Sequence, residues 1–146
     1  MRSPKVLFLT GLGAGLSPVA PGTAGSVVGL LLYLLFLSKM PCIIALFVIL
    51  FVMGLSIHFC EESVALFGEE DSPKIVIDEI VGMWVSLFCV KLSFYSVVDA
   101  FLIFRFFDIY KPYPVRFMDR LGGGAGIVMD DVMAGILTNI ILRIIF

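Results

Sequence analysis

The sequence predicts an all-α fold: an integral membrane bundle of about five apolar helices, four or five of them membrane segments. Three observations carry the prediction. Hydrophobic residues make up 60% of the 146-residue chain and charged residues only 15%, against roughly 45–50% apolar residues in ordinary soluble domains. Mean hydropathy is +1.11, more apolar surface than a soluble domain of this length could bury. Strand signals are weak, with no sustained polar/apolar alternation and no Asn-Gly or Asp-Gly hairpin turn. The length points to a single domain over residues 1–146.

Residues 1–20 carry Arg2 and Lys5 ahead of an apolar run at 6–9. Gly11, Gly13 and Gly15 break that run too early for a signal peptide. A proline- and glycine-punctuated stretch from Ser17 to Ser26 leads into the first apolar segment, residues 24–38. Lys39-Met40-Pro41 separates it from the second, 42–59. A polar stretch over 61–74 holds Glu61, Glu62, Glu69, Glu70 and Asp71, and the four glutamates read as a solvated face. The third segment covers about 78–90 and the fourth about 94–110, where Pro112 disfavours helix at Lys111. The fifth starts near 127, after Gly122-Gly123-Gly124-Ala125-Gly126, and runs to the C-terminus. Residues 80–104 could instead form one span, but that places Lys91 at mid-bilayer, at a cost of about 2.5–3.5 kcal/mol. Two helices joined at Lys91 avoid the cost. Several segments fall short of the roughly 20 residues that cross the hydrocarbon.

With the N-terminus cytoplasmic and every segment crossing, the loops 1–23, 60–79 and 105–126 share the cytoplasmic side. They hold Arg2, Lys5, Lys74, Arg105, Lys111, Arg116 and Arg120, seven of the ten basic residues, as the positive-inside rule favours. The expected location is the cell's inner membrane, multi-pass, with the polar motifs facing the cytoplasm. A net charge of −2 and the lack of any basic run argue against a nucleic-acid partner. Cys42, Cys60 and Cys89 form no CxxC pair and read as small buried hydrophobes in a reduced setting. The sequence carries no signal of oligomeric state.

Much ready-made chemistry is absent. His58 is the single histidine and reads as a packing or interfacial residue. No cysteine is followed by five residues and an arginine, and no DxDxT, phosphate-binding GxxxxGK[ST] loop or GxSxG elbow occurs. Carboxylates remain. Asp78-Glu79 lies among apolar residues, where capping would explain one acid but not two. Asp130-Asp131 reads as opening the last helix, and the glycine run before it could present backbone N–H groups to a phosphate. Arg105, Asp108 and Lys111, three residues apart, share one helical face, as a salt-bridge ladder or as a phosphate site. Arg116 and Arg120 follow and suit phosphate or lipid headgroups. Unpaired carboxylates in a greasy chain usually mark function. Combined with these bases, they suggest a divalent metal and a phosphate handled at a membrane surface.

Assembled, these stretches resemble the phosphatidylglycerophosphatase A family: Gly-Leu-Ser-Pro-Val-Ala-Pro-Gly-Thr-Ala-Gly-Ser (15–26, with Ser17 and Thr23), Asp71 with Ile-Val-Ile-Asp-Glu-Ile-Val-Gly-Met-Trp (75–84), Phe-Arg-Phe-Phe-Asp-Ile-Tyr-Lys-Pro-Tyr-Pro (104–114), and Asp-Arg followed by Gly-Gly-Gly-Ala-Gly-Ile-Val-Met-Asp-Asp (119–131). The resemblance implies an all-helical, membrane-embedded, magnesium-dependent lipid phosphatase that converts phosphatidylglycerophosphate to phosphatidylglycerol and phosphate. Its acidic positions carry over to Asp78, Glu79, Asp108, Asp130 and Asp131, expected to hold one or two Mg²⁺ and to do the catalysis, with Arg105, Lys111, Arg116 and Arg120 on the phosphate. The chain departs from the family pattern in a thin break at Lys91-Leu92-Ser93 and in Val128, where methionine is common. A CDP-alcohol phosphotransferase lacks its DGxxAR…GxxxD…D pattern here. A non-enzymatic transporter would need its acids at mid-membrane depth.

Overall fold

The computed structural model describes residues 3–146; Arg2, counted above among the cytoplasmic bases, lies outside them. All regular elements among the described residues are helical: α1 (Pro4–Leu9), α2 (Pro21–Leu35), α3 (Cys42–Cys60), α4 (Ser63–Phe67), α5 (Ile77–Leu87), α6 (Phe94–Tyr110), α7 (Val115–Asp119) and α8 (Gly123–Ile145), with 3-10 turns at Ala14–Leu16 and Leu37–Lys39. Three stretches among them, Pro21–Lys39, Cys42–Cys60 and Gly123–Ile145, are long and apolar enough to cross a membrane. The expected four or five membrane segments therefore come down to three by that measure. The 11 residues of α5 rise only about 16 Å, half the hydrocarbon thickness. The 17 residues of α6 include Asp99, Arg105 and Asp108.

The break at Lys91 is real. Leu87 ends α5, and Ser93 starts α6 with a reciprocal cap, its hydroxyl accepting from Ser96 N–H and its own N–H donating to Ser96 Oγ. The α6 helix stops at Tyr110, where Lys111 turns to φ +50° ahead of Pro112, as the proline requires.

The short helix α5 is the axis of the molecule, packed between α2 and α8 with its apolar face on Phe104 of α6. Its neighbours approach on glycines. A Cβ added at Gly135 of α8 would stand 2.5 Å from the Gly82 carbonyl oxygen, and one at Gly29 of α2 would stand 2.8 Å from Ile80 Cα. Trp84 Nε1 donates to the Gly29 carbonyl at 3.0 Å. Such small-residue contacts are how membrane helices come close without a hydrophobic driving force between them. On the outside of α3, Ile43, Ile44, Phe47, Leu50 and Phe51 are exposed, the surface a lipid-facing helix presents.

Three expectations need correction. Cys42 and Cys89 are joined in a disulfide with their Cα atoms 6.1 Å apart, inside the range a bridge spans. They are 47 residues apart, a pairing that spacing alone cannot reveal; Cys60 is the free, buried thiol. Next, α8 begins at Gly123, not near 127, so Asp130 and Asp131 lie two turns inside it rather than at its start. Finally, two of the glycine amides are not free: the glutamates form the expected solvated face, with Glu61, Glu69 and Glu70 exposed and Glu62 half-buried, but two of them also reach α8. Gly123 N–H donates to Glu70 Oε1 at 2.8 Å and Gly124 N–H to Glu61 Oε1 at 2.9 Å, while Glu62 pairs with Lys5 at 2.8 Å. Two carboxylates thus cap the positive end of a 23-residue helix, and the glycine amides expected to reach a phosphate are taken. His58 is exposed, tilted against the Phe59 ring, as an interfacial residue would be.

Candidate active site

The first turn of α5 faces α8 two turns in from its start. Ile77 and Ile80 anchor α5 in the core, so Asp78 is carried into the interior with them; Val128 and Val132 do the same for Asp130 and Asp131. Asp78, Asp130 and Asp131 are 8%, 5% and 1% exposed, and one carboxylate oxygen from each lies within 4.8 Å of the others. Burying one carboxylate is costly, and burying three together is more so unless a cation joins them. Asp78 Oδ1 and Asp131 Oδ1 have no hydrogen-bond partner among the described residues. Buried polar atoms are nearly always paired, so these orphaned oxygens fit a hard cation such as Mg²⁺, which takes carboxylate and water oxygens.

Beside the three acids, α6 supplies a charged rim. Asp108 pairs with Arg105 one turn back, and Lys111 stands 4.0 Å from Asp108 Oδ1. The same ammonium reaches across to Asp130 Oδ2 at 2.5 Å and lies 3.9 Å from Asp119. The ladder and the cross-helix site therefore coexist. Burial works against the Lys111 charge, but the hydrogen bond and charge of Asp130, with Asp131 and Asp108, outweigh it and raise the group above the usual lysine range. Lys111 stays protonated.

Glu79 lies between the acid cluster, beside Asp78, and the first turn of α2. A Cβ at Gly22 would stand 3.0 Å from Glu79 Oε1 and 3.3 and 3.4 Å from the two terminal nitrogens of Arg105. Glu79 Oε2 is also buried without a partner. Of the sequence-expected residues, Asp78, Asp130 and Asp131 form one cluster, and Asp108, Arg105 and Lys111 border it. Arg116 and Arg120 lie exposed at α7, without an ion pair among the described residues. Thr23 is half-buried in the first turn of α2. Ser17 bonds its own loop at Val19, and Asp71 is exposed on the rim of a 120 Å³ crevice with Asp119 and Gly126. Gly22 was missed by sequence reasoning, since a glycine in a Pro-Gly-Thr turn signals only a turn.

The family described as Phosphatidylglycerophosphatase A matches residues 7–146. The chain belongs to the phosphatidylglycerophosphatase A family. It is accordingly a phosphatase of phospholipid metabolism. The phosphatidylglycerophosphatase A of Escherichia coli strain K12 is 35% identical over 147 residues, covering 99% of this chain and 85% of its own length. That of Haemophilus influenzae is 39% identical over 144 residues, 97% and 88% of the two chains. A putative phosphatidylinositol-3-phosphatase of Bacteroides thetaiotaomicron is 37% identical over 155 residues, 99% and 96%. No solved structure matches the chain.

Proposed function

We propose that the protein hydrolyses the terminal phosphomonoester of phosphatidylglycerophosphate, giving phosphatidylglycerol and inorganic phosphate, with Mg²⁺ as cofactor. The single observation that carries the site assignment is the convergence of Asp78, Asp130 and Asp131 with two buried oxygens unpaired. The substrate follows the names of two relatives. These three acids would hold the metal, with Glu79 and Asp108 beside them. When bound, the ion would neutralise phosphate charge and make a water more acidic. Lys111 and Arg105 meet the non-bridging phosphate oxygens. One carboxylate takes a proton as water attacks phosphorus, the phosphorus–oxygen bond to the lipid breaks, and that carboxyl returns the proton to the departing alkoxide to give the alcohol.

The active site would face the cytoplasm at the inner membrane. Besides the loop bases, the disulfide supports this orientation. Cys89 follows the C-terminal end of α5, and Asp78 stands at its N-terminal end. Disulfides persist on the oxidising side, so the acids belong to the reducing one. Purified protein with phosphatidylglycerophosphate in detergent micelles should release phosphate with Mg²⁺ and stop with chelator. Turnover that survives complete chelation would remove the metal from the proposal. Faster release from phosphatidylinositol 3-phosphate would replace the substrate.

A further inference from the structure

Helix α2 cannot move closer to α5. A Cβ at Gly25 would stand 2.6 Å from Val76 Cβ, and one at Gly29 would stand 2.8 Å from Ile80 Cα, so both helices already touch through backbone and branched carbons. One turn before these contacts is Gly22, where the nearest groups are the Glu79 carboxylate and the Arg105 guanidinium. Those two groups are not in an ion pair, while Arg105 rests on Asp108. A methyl at position 22 has nowhere to go except against these side-chain ends, at 3.0 to 3.4 Å, closer than ordinary van der Waals contact. Because they are flexible tips, they would shift and the fold would stand.

We propose that Gly22 is a positioning residue, its bare Cα leaving the clearance in which Arg105 turns from Asp108 onto the substrate phosphate while Glu79 stays against the acid cluster. This rests on the reading of Arg105 as a phosphate ligand. The inference adds a residue on α2 to a site otherwise built from α5, α6 and α8, and it assigns the Pro-Gly-Thr turn a role in anion binding.

The test is a double-mutant cycle on the full chain in detergent, with Gly22→Ala, Arg105→Lys and the pair. The readouts are kcat, KM and inhibition by inorganic phosphate. Gly22→Ala should lower kcat about tenfold and weaken phosphate inhibition to a similar degree, since small misplacements of a binding group are costly. Its thermal unfolding midpoint should hold or rise, because alanine suits a helix better than glycine. Gly54→Ala, in α3 with nothing near its Cβ, should leave activity unchanged. In the Arg105→Lys background, Gly22→Ala should add less than twofold. Full activity in Gly22→Ala, or losses that simply multiply in the pair, would overturn the role of Gly22. A silent Arg105→Lys would overturn the phosphate assignment of Arg105 instead, and with it any action of Gly22 through that residue.

Discussion

The two ends of α5 are finished in opposite ways. At its C-terminal end the carbonyls of Val85, Ser86, Leu87 and Phe88 are gathered in. Tyr33 Oη donates to Leu87 O at 2.9 Å, Asn139 Nδ2 donates to Val85, Ser86 and Phe88 at 2.9 to 3.1 Å, and Arg143 adds a second bond to Phe88 O at 3.0 Å. A disulfide then closes the same end. At the N-terminal end, Asp78, Glu79 and Asp131 each keep a buried oxygen with no partner. One end spends its polar groups on holding the fold; the other, on the proposed reading, keeps them for a ligand. The difference teaches that stability and chemistry have been separated along one short helix, as expected where local rules are broken only at functional sites.

That separation can be broken by substitution. The largest expected effect is at the acid end: Asp131→Asn should lower kcat about a thousandfold, roughly 4 kcal/mol of transition-state stabilisation. The same change should leave the unfolding midpoint level or higher, because it removes one of three crowded carboxylates. Phosphate release and thermal unfolding in detergent check both halves. Next, replacing Cys42 and Cys89 together by serine should cost about 3 kcal/mol of stability while kcat at low temperature stays within twofold. Chemical denaturation with activity assayed alongside decides it, and a catalytic loss as deep as that of Asp131→Asn would merge the two ends. Asn139→Leu should cost about 2 kcal/mol by leaving buried carbonyls unpaired, again with little change in turnover. The smallest effect sharpens the comparison: Lys111→Met should lower kcat about tenfold, roughly 1.4 kcal/mol. It should also weaken competitive inhibition by inorganic phosphate, since it removes the cation on Asp130 and not the acids themselves.

Much of this was legible in the sequence, and for identifiable reasons. Each apolar stretch contains a helix because hydropathy registers burial in lipid, and the stop at Lys111 follows from the ring of Pro112. The lysine at 91 marked the break between α5 and α6 because a charge at mid-bilayer is unaffordable. Asp78-Glu79 and Asp130-Asp131 stood out because apolar residues flank them. What stayed hidden depends on groups distant in the chain. Glu61 and Glu70 are surface residues whose second role shows only when α8 arrives above them with its amides free. A glycine run reads as a loop, yet Gly124 is helical and lies so close to the Ile57 carbonyl that a Cβ would overlap it. Likewise, Asn139 is an ordinary polar residue in an apolar segment until three carbonyls from a broken helix converge on it.

The crossing of Gly82 and Gly135 bears on the acids above it. A Cβ at Gly82 would stand 2.9 Å from the Asp131 carbonyl oxygen and 2.5 Å from the Phe104 ring. Main chain rests on main chain there, with no rotatable side chain between, so the gap from Asp78 to Asp131 is gauged by rigid spacers. Mg²⁺ demands oxygens at about 2.1 Å, whereas Ca²⁺ accepts about 2.3–2.6 Å. On the proposed Mg²⁺ reading, a jaw of fixed gauge would favour the smaller ion over the larger.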